Sequence, residues 1–324
     1  REGSAAKNFE ALVDLDEDYE DAVMFCSDDK HPDNLAQGHI NELVKRAVAK
    51  GKDVFKVLKA ACVNPVQHYK LDVGLLREGD WADFIVVKDL RNFETINTYI
   101  NGVKVSAGGK TLIPAVENKT INNFSCAKKA PADFQVGAMG SRLRVIQVLD
   151  GQLITEELLQ EANVSEGIAL PNIEEDILKI AVVNRYSDAP PAVAFIKNFG
   201  LKEGAIASSV AHDSHNIIAV GVDDESLASA VNLIIDSQGG ISVATPGYNR
   251  LLPLQVAGLM STQDGYAVAS AYTAIDRMAK EMGSRLSAPF MSLSFMALLV
   301  IPHIKLSDQG LFDGQQFKFV DLFL

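Results

Sequence analysis

Two adjacent carboxylates, Asp28 and Asp29, follow a short apolar run at the point where a buried strand would end. The run from Ala22 to Ser27 is typical of such a strand, and a polar loop comes directly after it. A carboxylate in this place can bind a divalent metal ion and accept a proton from water that the metal has made acidic. The pair can also cap the following turn, as Asp often does, so the spacing alone leaves both interpretations open.

A second group of titratable side chains, His212, Asp213 and His215, lies within five residues between two predicted strands. Two imidazoles and a carboxylate this close can bind a metal ion or line the mouth of an active site. A polar turn between strands also collects His, Asp and Asn for conformational reasons. Both interpretations stay open for this group.

Helical patterns follow the first carboxylate pair. A cap at Asp33 or Asn34 and an apolar face predict a helix that closes at Gly51, and Asp53 caps a second helix that ends near Pro65. Strand, polar loop and amphipathic helix in this order form a βα unit of an α/β sheet or barrel, where chemistry sits at the carboxyl ends of strands. His39 falls in the first helix and can reach back to the strand end, although helical histidines are more often packed or solvated.

The sequence pattern changes from helical spacing to short apolar runs after Leu71. Short strands are predicted over residues 82–87 and 95–105, with Asn101-Gly102 as the turn of a hairpin, and residues 107–133 have the composition of a linker. Beyond it, apolar runs alternate with helical patterns, which predicts a second α/β or α+β domain. The runs cover residues 143–149, 177–183, 205–211 and 217–222, and the helical patterns cover residues 192–199, 225–235 and 265–282.

Composition excludes several classes of protein. With 324 residues and 48% hydrophobic content, the chain can bury two cores. A formal net charge of -12 disfavours nucleic acid and anionic lipid as partners. Three cysteines without a CxxC pair indicate neither a disulfide framework nor a zinc ribbon and favour a reducing cytoplasm. No uncharged apolar stretch has the length of a membrane helix, so we expect no membrane partner.

Several segments, in order along the chain, resemble adenine deaminases of the amidohydrolase superfamily. Residues 27–29 with 38–44 are similar to the eighth barrel strand and its helix, and residues 1–8 are similar to the loop after the seventh strand. Residues 74–87 resemble the passage from barrel to β-sandwich, and the chain from Phe134 onward resembles the carboxyl-terminal domain of the family. The first residue is not Met and no charged-then-apolar leader follows it, so we expect further sequence upstream.

The resemblance implies an α/β fold in which the end of a (β/α)8 metal-dependent hydrolase barrel is followed by two further parts. The barrel portion covers residues 1–70, a small β-sandwich segment covers 71–115, and a linker covers 116–133. The carboxyl-terminal domain, α/β or α+β in class, then covers residues 134–324.

The resemblance also implies an activity and a site. Adenine deaminases convert adenine to hypoxanthine and ammonia with a pair of divalent metal ions, usually manganese or iron, in the barrel mouth. Carried onto this chain, Asp28 is a metal ligand and the catalytic proton shuttle. The side chains expected to contact the substrate are Arg1, Glu2, Ser27 and Asp29, because Arg donates and carboxylates accept hydrogen bonds in fixed directions.

The remaining metal ligands of the family lie on earlier barrel strands that this sequence does not contain. We therefore expect the chain to be inactive alone, to need the missing amino-terminal part of the same enzyme, and to form a homo-oligomer. Two alternatives stay open. One is another amidohydrolase that acts on a cyclic amide or nucleobase, and the other is a non-catalytic assembly module.

Overall fold

The computed structural model describes residues 2–4, 7–16 and 19–324, which form two compact units. The first unit contains the residues up to 30 and residues 37–118. The second contains residues 31–36 and 119–324. Each unit has its own hydrophobic core. The segment 31–36 thus belongs to the second unit, although the chain on both sides of it belongs to the first.

Short helices form most of the chain up to residue 70. A 3-10 turn covers Val13–Asp16, and a π-helical turn covers Lys59–Val63. The α-helices are α1 (Phe9–Leu12), α2 (Pro32–Gln37), α3 (Ile40–Ala49), α4 (Val54–Leu58) and α5 (Asn64–Tyr69). Of these, α2 lies mainly in the segment that belongs to the second unit.

The core of the first unit forms around the apolar face of α3. Leu43, Val44 and Ala47 of this helix are buried, as the spacing of an amphipathic helix requires. They belong to one cluster with Phe9 and Val57. Burial of each large side chain in such a cluster contributes about 1.5 to 3 kcal/mol to stability.

The helix predictions for this unit are confirmed in part. The Asp53 side chain caps α4 as predicted, since it accepts hydrogen bonds from the backbone N of Phe55 at 2.9 Å and of Lys56 at 3.0 Å. The single helix predicted up to Gly51 is wrong, because the chain breaks at Gly38 between α2 and α3. The stop predicted near Pro65 is also wrong. Proline in the first turn of a helix loses no hydrogen bond, and α5 continues to Tyr69.

A small antiparallel sheet ends the first unit. Its strands, in spatial order, are β1 (Phe84–Val87), β2 (Thr95–Ile100), β3 (Val103–Ala107) and β4 (Lys110–Thr111). The hairpin predicted at Asn101-Gly102 is confirmed, with φ angles of 50° and 75° that suit the tight turn between β2 and β3. The Asp83 carboxylate secures the turn, since it accepts from the backbone N of Asn101 at 2.8 Å and of Gly74 at 2.9 Å.

The second unit is built on a mixed sheet of eight strands in the order β15-β14-β12-β13-β10-β11-β6-β7. Neighbouring strands are antiparallel except β11 and β6, which are parallel. Two three-stranded sheets, β5-β9-β8 and β16-β17-β18, accompany it. The strands are β5 (Val136–Gly137), β6 (Arg142–Val148), β7 (Thr155–Glu161), β8 (Asn163–Ser165), β9 (Ile168–Leu170), β10 (Ile177–Val183), β11 (Ala192–Lys197), β12 (Ala205–Ser208), β13 (Ile217–Gly221), β14 (Gly240–Ala244), β15 (Asn249–Pro253), β16 (Ile304–Ser307), β17 (Gly310–Asp313) and β18 (Lys318–Phe319).

Besides α2 and a 3-10 turn at Pro131–Phe134, the described part of the second unit contains the helices α6 (Asp224–Ser237), α7 (Gly265–Glu281) and α8 (Pro289–Phe295). Helix α6 lies against β12, β13 and β14 and buries Leu227, Val231 and Ile234. Asp223 begins it by accepting a hydrogen bond from the backbone N of Ser226 at 2.6 Å. The unit is therefore a mixed α/β domain, as the alternation of runs and helical patterns predicted.

One predicted helix of this domain is wrong. Residues 192–199 were expected to be helical, but Ala192–Lys197 form strand β11, which pairs with β10 and β6. A short apolar run carries no decisive period, and pairing with two neighbouring strands outweighs local propensity. In the described part of the chain, no helix is both long and apolar enough to cross a membrane.

Lys305 is a buried cation of the second unit. Its residue surface is 0% exposed on β16, and its Nζ donates a hydrogen bond to the carbonyl oxygen of Leu153 at 2.7 Å. Burial lowers the pKa of the Lys305 ammonium to about 7. The folded chain thus releases this proton at a far lower pH than the unfolded chain does.

We predict that Lys305→Met flattens the pH dependence of stability between about pH 7 and 10.5. In this window the unfolded chain holds the Lys305 proton and the folded chain does not, so the wild-type free energy of unfolding rises with pH. Below pH 7 both states hold the proton and this contribution is constant. Urea unfolding at pH 7, 8 and 9 measures the slope, and equal slopes in the two proteins would contradict the prediction.

Candidate active site

The chain around the first carboxylate pair runs beside residues 2–4. The backbone N of Glu2 donates to the carbonyl oxygen of Cys26 at 3.1 Å, and the backbone N of Ser4 donates to that of Asp29 at 2.8 Å. The strand predicted over residues 22–27 is not formed as a regular strand. Two bonds to residues 2–4 do not make a continuous ladder, and Phe25 instead donates from its backbone N to the carbonyl oxygen of Ala60 at 3.2 Å.

Gly3 allows the two segments to approach closely. A Cβ atom at this position would lie 2.8 Å from the carbonyl oxygen of Asp29 and 3.2 Å from that of Ser27. Backbone atoms cannot swing aside as a flexible side chain can. A residue without a side chain therefore keeps residues 2–4 against the loop that carries both carboxylates.

Asp28 has a strained backbone at the end of this segment. Its φ angle is 55°, in the left-handed region that costs most residues about 1 to 2 kcal/mol. Asp is one of the few types that tolerate this region, because its short polar side chain can bond locally. Strain of this kind concentrates at functional sites, and Asp28 is a half-buried acidic residue beside the equally half-buried Asp29.

A hydrogen bond joins Ser27 to the start of helix α3. Ser27 Oγ and His39 Nε2 lie 2.7 Å apart. Burial, and then the charge of Lys30, lower the pKa of the His39 imidazole, which favours its neutral form. Lys30 Nζ in turn donates to the carbonyl oxygen of Gly38 at 2.7 Å. His39 thus reaches back to the segment before Asp28, as the sequence allowed, whereas helical histidines are more often packed or solvated.

Glu2 is held by an ion pair with a residue far along the chain. Its Oε1 accepts a hydrogen bond from Arg46 Nη1 at 2.9 Å, and the Arg46 guanidinium also lies 4.3 Å from the ring centroid of Phe9. Sequence reasoning assigned no role to Arg46, because nothing in a helical polar face indicates a partner so distant in sequence. Arg1, the neighbouring predicted substrate contact, lies outside the described residues.

The carboxylates of this unit fit only part of a metal centre. Oxygen ligands of Asp28 and Asp29 suit a hard or borderline divalent cation. Across residues 2–4, 7–16 and 19–324, however, no group of three or more His, Cys, Asp or Glu side chains is arranged to hold a metal ion. The described chain can provide a ligand to such an ion but not a complete coordination shell.

The second predicted group, His212, Asp213 and His215, lies in the loop between β12 and β13, at one end of the central strands of the eight-stranded sheet. Strand β13 is antiparallel to both β10 and β12, so the segments that follow β10 and β12 meet the segment that precedes β13. The His212 ring stacks on Phe295 of α8, with centroids 4.7 Å apart and planes at 17°. His212 and His215 have ring centroids 6.3 Å apart, and His212 Nδ1 lies 3.6 Å from Asp213 Oδ1.

The buried side chain of Arg185 stabilises the loop that contains His212, Asp213 and His215, through a hydrogen bond to Tyr186. Its residue surface is 4% exposed, and its guanidinium donates to the carbonyl oxygen of Ala257 at 2.7 Å and to Tyr186 Oη at 3.0 Å. The Tyr186 hydroxyl donates onward to the carbonyl oxygen of Ser214 at 3.0 Å. Burial, and then the charges of His212 and Arg185, lower the pKa of His215. Sequence reasoning missed Arg185, since it follows a strand with no distinguishing pattern.

We predict that Gly258→Ala displaces the Arg185 guanidinium. A Cβ atom at Gly258 would lie 2.0 Å from Arg185 Nη1, and the φ angle of 69° is unfavourable for alanine. Overpacking and backbone strain together should cost about 2 kcal/mol or more. The matched control is Gly137→Ala, whose Cβ would have no atom within 4 Å. Thermal unfolding of both variants gives the comparison, and equal melting temperatures would refute the packing role of Gly258.

Comparison with known proteins connects both units to described families. Residues 152–318 match the family described as "Adenine deaminase C-terminal domain", and residues 1–105 match the "Amidohydrolase family". A protein of Salinibacter ruber named adenine deaminase is 54% identical over 326 residues, which cover 100% of this chain and 60% of that protein.

Other relatives show the same coverage. The adenine deaminase of Sulfurovum sp. is 55% identical over 99% of this chain and 59% of that protein. The adenine deaminase of Methanosarcina acetivorans is 49% identical over 100% of this chain and 60% of that protein. The chain thus spans about three fifths of the length of these curated relatives.

Proposed function

The chain belongs to the adenine deaminase family, and from this we propose that it is the carboxyl-terminal part of an enzyme that hydrolyses adenine to hypoxanthine and ammonia. The match over residues 152–318 supports this function over that of an amidohydrolase acting on another cyclic amide or nucleobase. Identities near 50% along the whole chain to proteins named adenine deaminase also favour it over a non-catalytic assembly module.

Asp28 is the residue that we assign to the chemistry. The observation that carries this assignment is its carboxylate at a left-handed backbone position in the loop held against residues 2–4. A divalent metal pair in the complete enzyme, manganese or iron, would acidify the attacking water and stabilise the charge that develops. Asp28 would bind one metal ion, accept the proton of the attacking water at a carboxylate oxygen, and deliver a proton to the leaving ammonia.

Neighbouring side chains orient the purine in this proposal. Arg46 holds the Glu2 carboxylate, and His39 holds the Ser27 hydroxyl. Groups fixed in this way lose little further freedom when a substrate binds, which favours recognition by directed hydrogen bonds. The side chains proposed to contact adenine are Arg1, Glu2, Ser27 and Asp29.

The first unit is proposed as the end of a (β/α)8 barrel with a β-sandwich segment. The match of residues 1–105 to amidohydrolases supports this architecture, as do the α-helices that follow the Asp28 loop and the small antiparallel sheet after them. In chain order we assign residues 1–70 to the barrel, 71–115 to the sandwich segment, 116–133 to a linker and 134–324 to the carboxyl-terminal domain.

The complete enzyme is proposed to act in purine salvage in the cytoplasm, as a homo-oligomer that includes the amino-terminal part absent from this sequence. Cys26, Cys62 and Cys126 are free thiols, which suits a reducing compartment. His212, Asp213 and His215 are proposed to line the mouth of a ligand site or to bind an additional metal ion. Their support is the convergence of three loops and the spacing of two imidazoles at one end of the central strands.

The proposed function predicts that Asp28→Asn in the complete enzyme abolishes hypoxanthine formation from adenine. Asparagine keeps the size of the side chain but cannot accept the proton, so we expect kcat to fall by about 10³-fold or more while the fold is retained. The assay follows hypoxanthine after treatment with a chelator and again after manganese or iron is restored.

Asp53→Asn is the matched control. It removes the same charge from the same unit, and asparagine caps a helix as well as aspartate does, so α4 and turnover should be unaffected. Substantial deamination by Asp28→Asn would overturn the role of Asp28. Absence of any deamination by the metal-loaded wild-type enzyme would overturn the proposed function itself.

A further inference from the structure

A cavity of about 840 Å³ lies within the second unit, and every residue that lines it belongs to the stretch 119–324. Small-molecule sites have volumes of about 300 to 1,000 Å³. The cavity lies where β6 and β11 end, and these two strands are parallel neighbours in the eight-stranded sheet. Ligands of open α/β sheets commonly bind outside the carboxyl ends of parallel strands. The position of the cavity therefore suits a binding site.

Hydrogen bonds within the protein fix the strand ends that line the cavity. Asn198 Nδ2 donates to the carbonyl oxygen of Val148 at 2.9 Å, which joins the carboxyl ends of β11 and β6. Asp176 Oδ1 accepts from the backbone N of Gly200 at 2.7 Å, which joins the start of β10 to the loop after β11. A wall held in this way loses little further freedom when a ligand binds.

The end of helix α7 forms another part of the wall. A Cβ atom at Gly283 would lie 2.5 Å from the carbonyl oxygen of Gly200, and a Cβ atom at Gly200 would lie 2.8 Å from the carbonyl oxygen of Gly283. The backbone N of Lys202 also donates to the carbonyl oxygen of Met282 at 2.8 Å. Both glycines thus allow the loop after β11 to lie directly against the end of α7.

The charged side chains that line the cavity balance one another. Three of them are carboxylates and three are cations, namely Asp150, Glu174, Asp176, Lys202, Lys280 and Arg285. A lining of one sign would favour a ligand of the opposite sign. Equal numbers of both signs instead favour a ligand that carries both charges.

Most of these charges already have partners in the protein. Asp150 Oδ1 accepts hydrogen bonds from the backbone N and the Oγ of Ser287, both at 2.9 Å. Lys202 Nζ donates to a backbone carbonyl oxygen at 3.0 Å, and Lys280 Nζ pairs with a carboxylate of its own helix at 2.6 Å. Together with Asp176, these groups stabilise the wall.

Glu174 and Arg285 are the two charged groups of the lining that remain. Across residues 2–4, 7–16 and 19–324, neither side chain forms a hydrogen bond or an ion pair. The guanidinium of an arginine can donate two parallel hydrogen bonds to a carboxylate, and the carboxylate of a glutamate can accept from an ammonium group. The cavity thus offers one unused group of each sign.

A buried hydroxyl adds a third polar group. Ser284 lines the cavity and is 6% exposed, and its Oγ has no hydrogen-bond partner in the described part of the chain. Buried polar atoms of folded proteins are nearly always hydrogen-bonded. A polar atom of a bound molecule would provide the partner that the protein does not.

We propose that this cavity binds a small zwitterion that carries a carboxylate and an ammonium group, as a free amino acid does. Arg285 binds the carboxylate, Glu174 accepts hydrogen bonds from the ammonium group, and Ser284 Oγ donates a hydrogen bond to the ligand. The site is formed by the second unit alone, and its occupancy is measured without any reference to deamination.

Isothermal titration calorimetry on the complete protein that contains this chain tests the proposal. The probes are the common α-amino acids, with γ-aminobutyrate as a zwitterion of wider charge separation, and acetate and methylammonium as carriers of one charge each. We expect at least one zwitterion to bind with a Kd of about 1 mM or lower. Acetate and methylammonium should bind at least about tenfold more weakly, because each engages only one of the two unused groups.

Variants of the lining identify the groups that bind the zwitterion. Arg285→Gln and Glu174→Gln should each raise its Kd by about tenfold or more. Ser284→Ala should raise the Kd by about threefold or more, yet leave the melting temperature of the ligand-free protein within about 2 °C, because no protein hydrogen bond is lost. The matched control is Arg250→Gln, which removes an exposed arginine of β15 outside the cavity lining and should leave the Kd unchanged.

Three results would overturn the site as proposed. The first is the absence of binding by every zwitterion at concentrations up to about 10 mM. The second is binding of acetate or methylammonium as tight as that of the best zwitterion. The third is a wild-type Kd in Arg285→Gln, Glu174→Gln or Ser284→Ala, or an equal rise of the Kd in Arg250→Gln.

Discussion

Burial of the central strands of the eight-stranded sheet on both of their faces is the constraint on which the second unit depends. Strands β10, β12 and β13 are buried along their whole length, so they are mostly apolar on both sides, and each of their faces must be covered. Helix α6 covers part of one face with Leu227, Val231 and Ile234. Most polar residues therefore lie in the loops at the ends of these strands. The loop from Ala211 to Asn216, between β12 and β13, contains several of them.

The same constraint explains how the unit accommodates buried cations. Lys179 lies in the middle of β10 with 0% of its surface exposed, yet its Nζ donates to Asp224 Oδ1 at 2.6 Å and to the carbonyl oxygen of Phe134 at 3.1 Å. A paired buried charge is tolerated, whereas removal of one partner would leave the other uncompensated. Lys305 donates a hydrogen bond to a carbonyl oxygen, and burial lowers the pKa of its ammonium to about 7.

The features that the sequence predicts correctly are those that depend on interactions between neighbouring residues. The cap at Asp53, the hairpin at Asn101-Gly102 and the helix that ends at Glu281 depend on a few neighbouring residues, and the sequence shows these. The role of Asp28 is a proposal from the sequence, because a carboxylate follows an apolar run and because the segment resembles a known family. The contacts that orient the site were not predictable, since Glu2 and Arg46 are 44 positions apart. The sequence of β11 predicts a helix, but pairing with β10 and β6 determines its conformation.

The segment from His31 to Ala36 affects how this protein can be divided or recombined. A chain cut at the boundary near residue 118 would separate most of the second unit from the first, but it would leave Tyr272 without the His31 ring that packs on it. An exchange of this domain between relatives would therefore have to carry two separate stretches of sequence, one of them only six residues long. Substitutions at positions 31 and 272 should occur together even though the two residues are 241 positions apart in the chain.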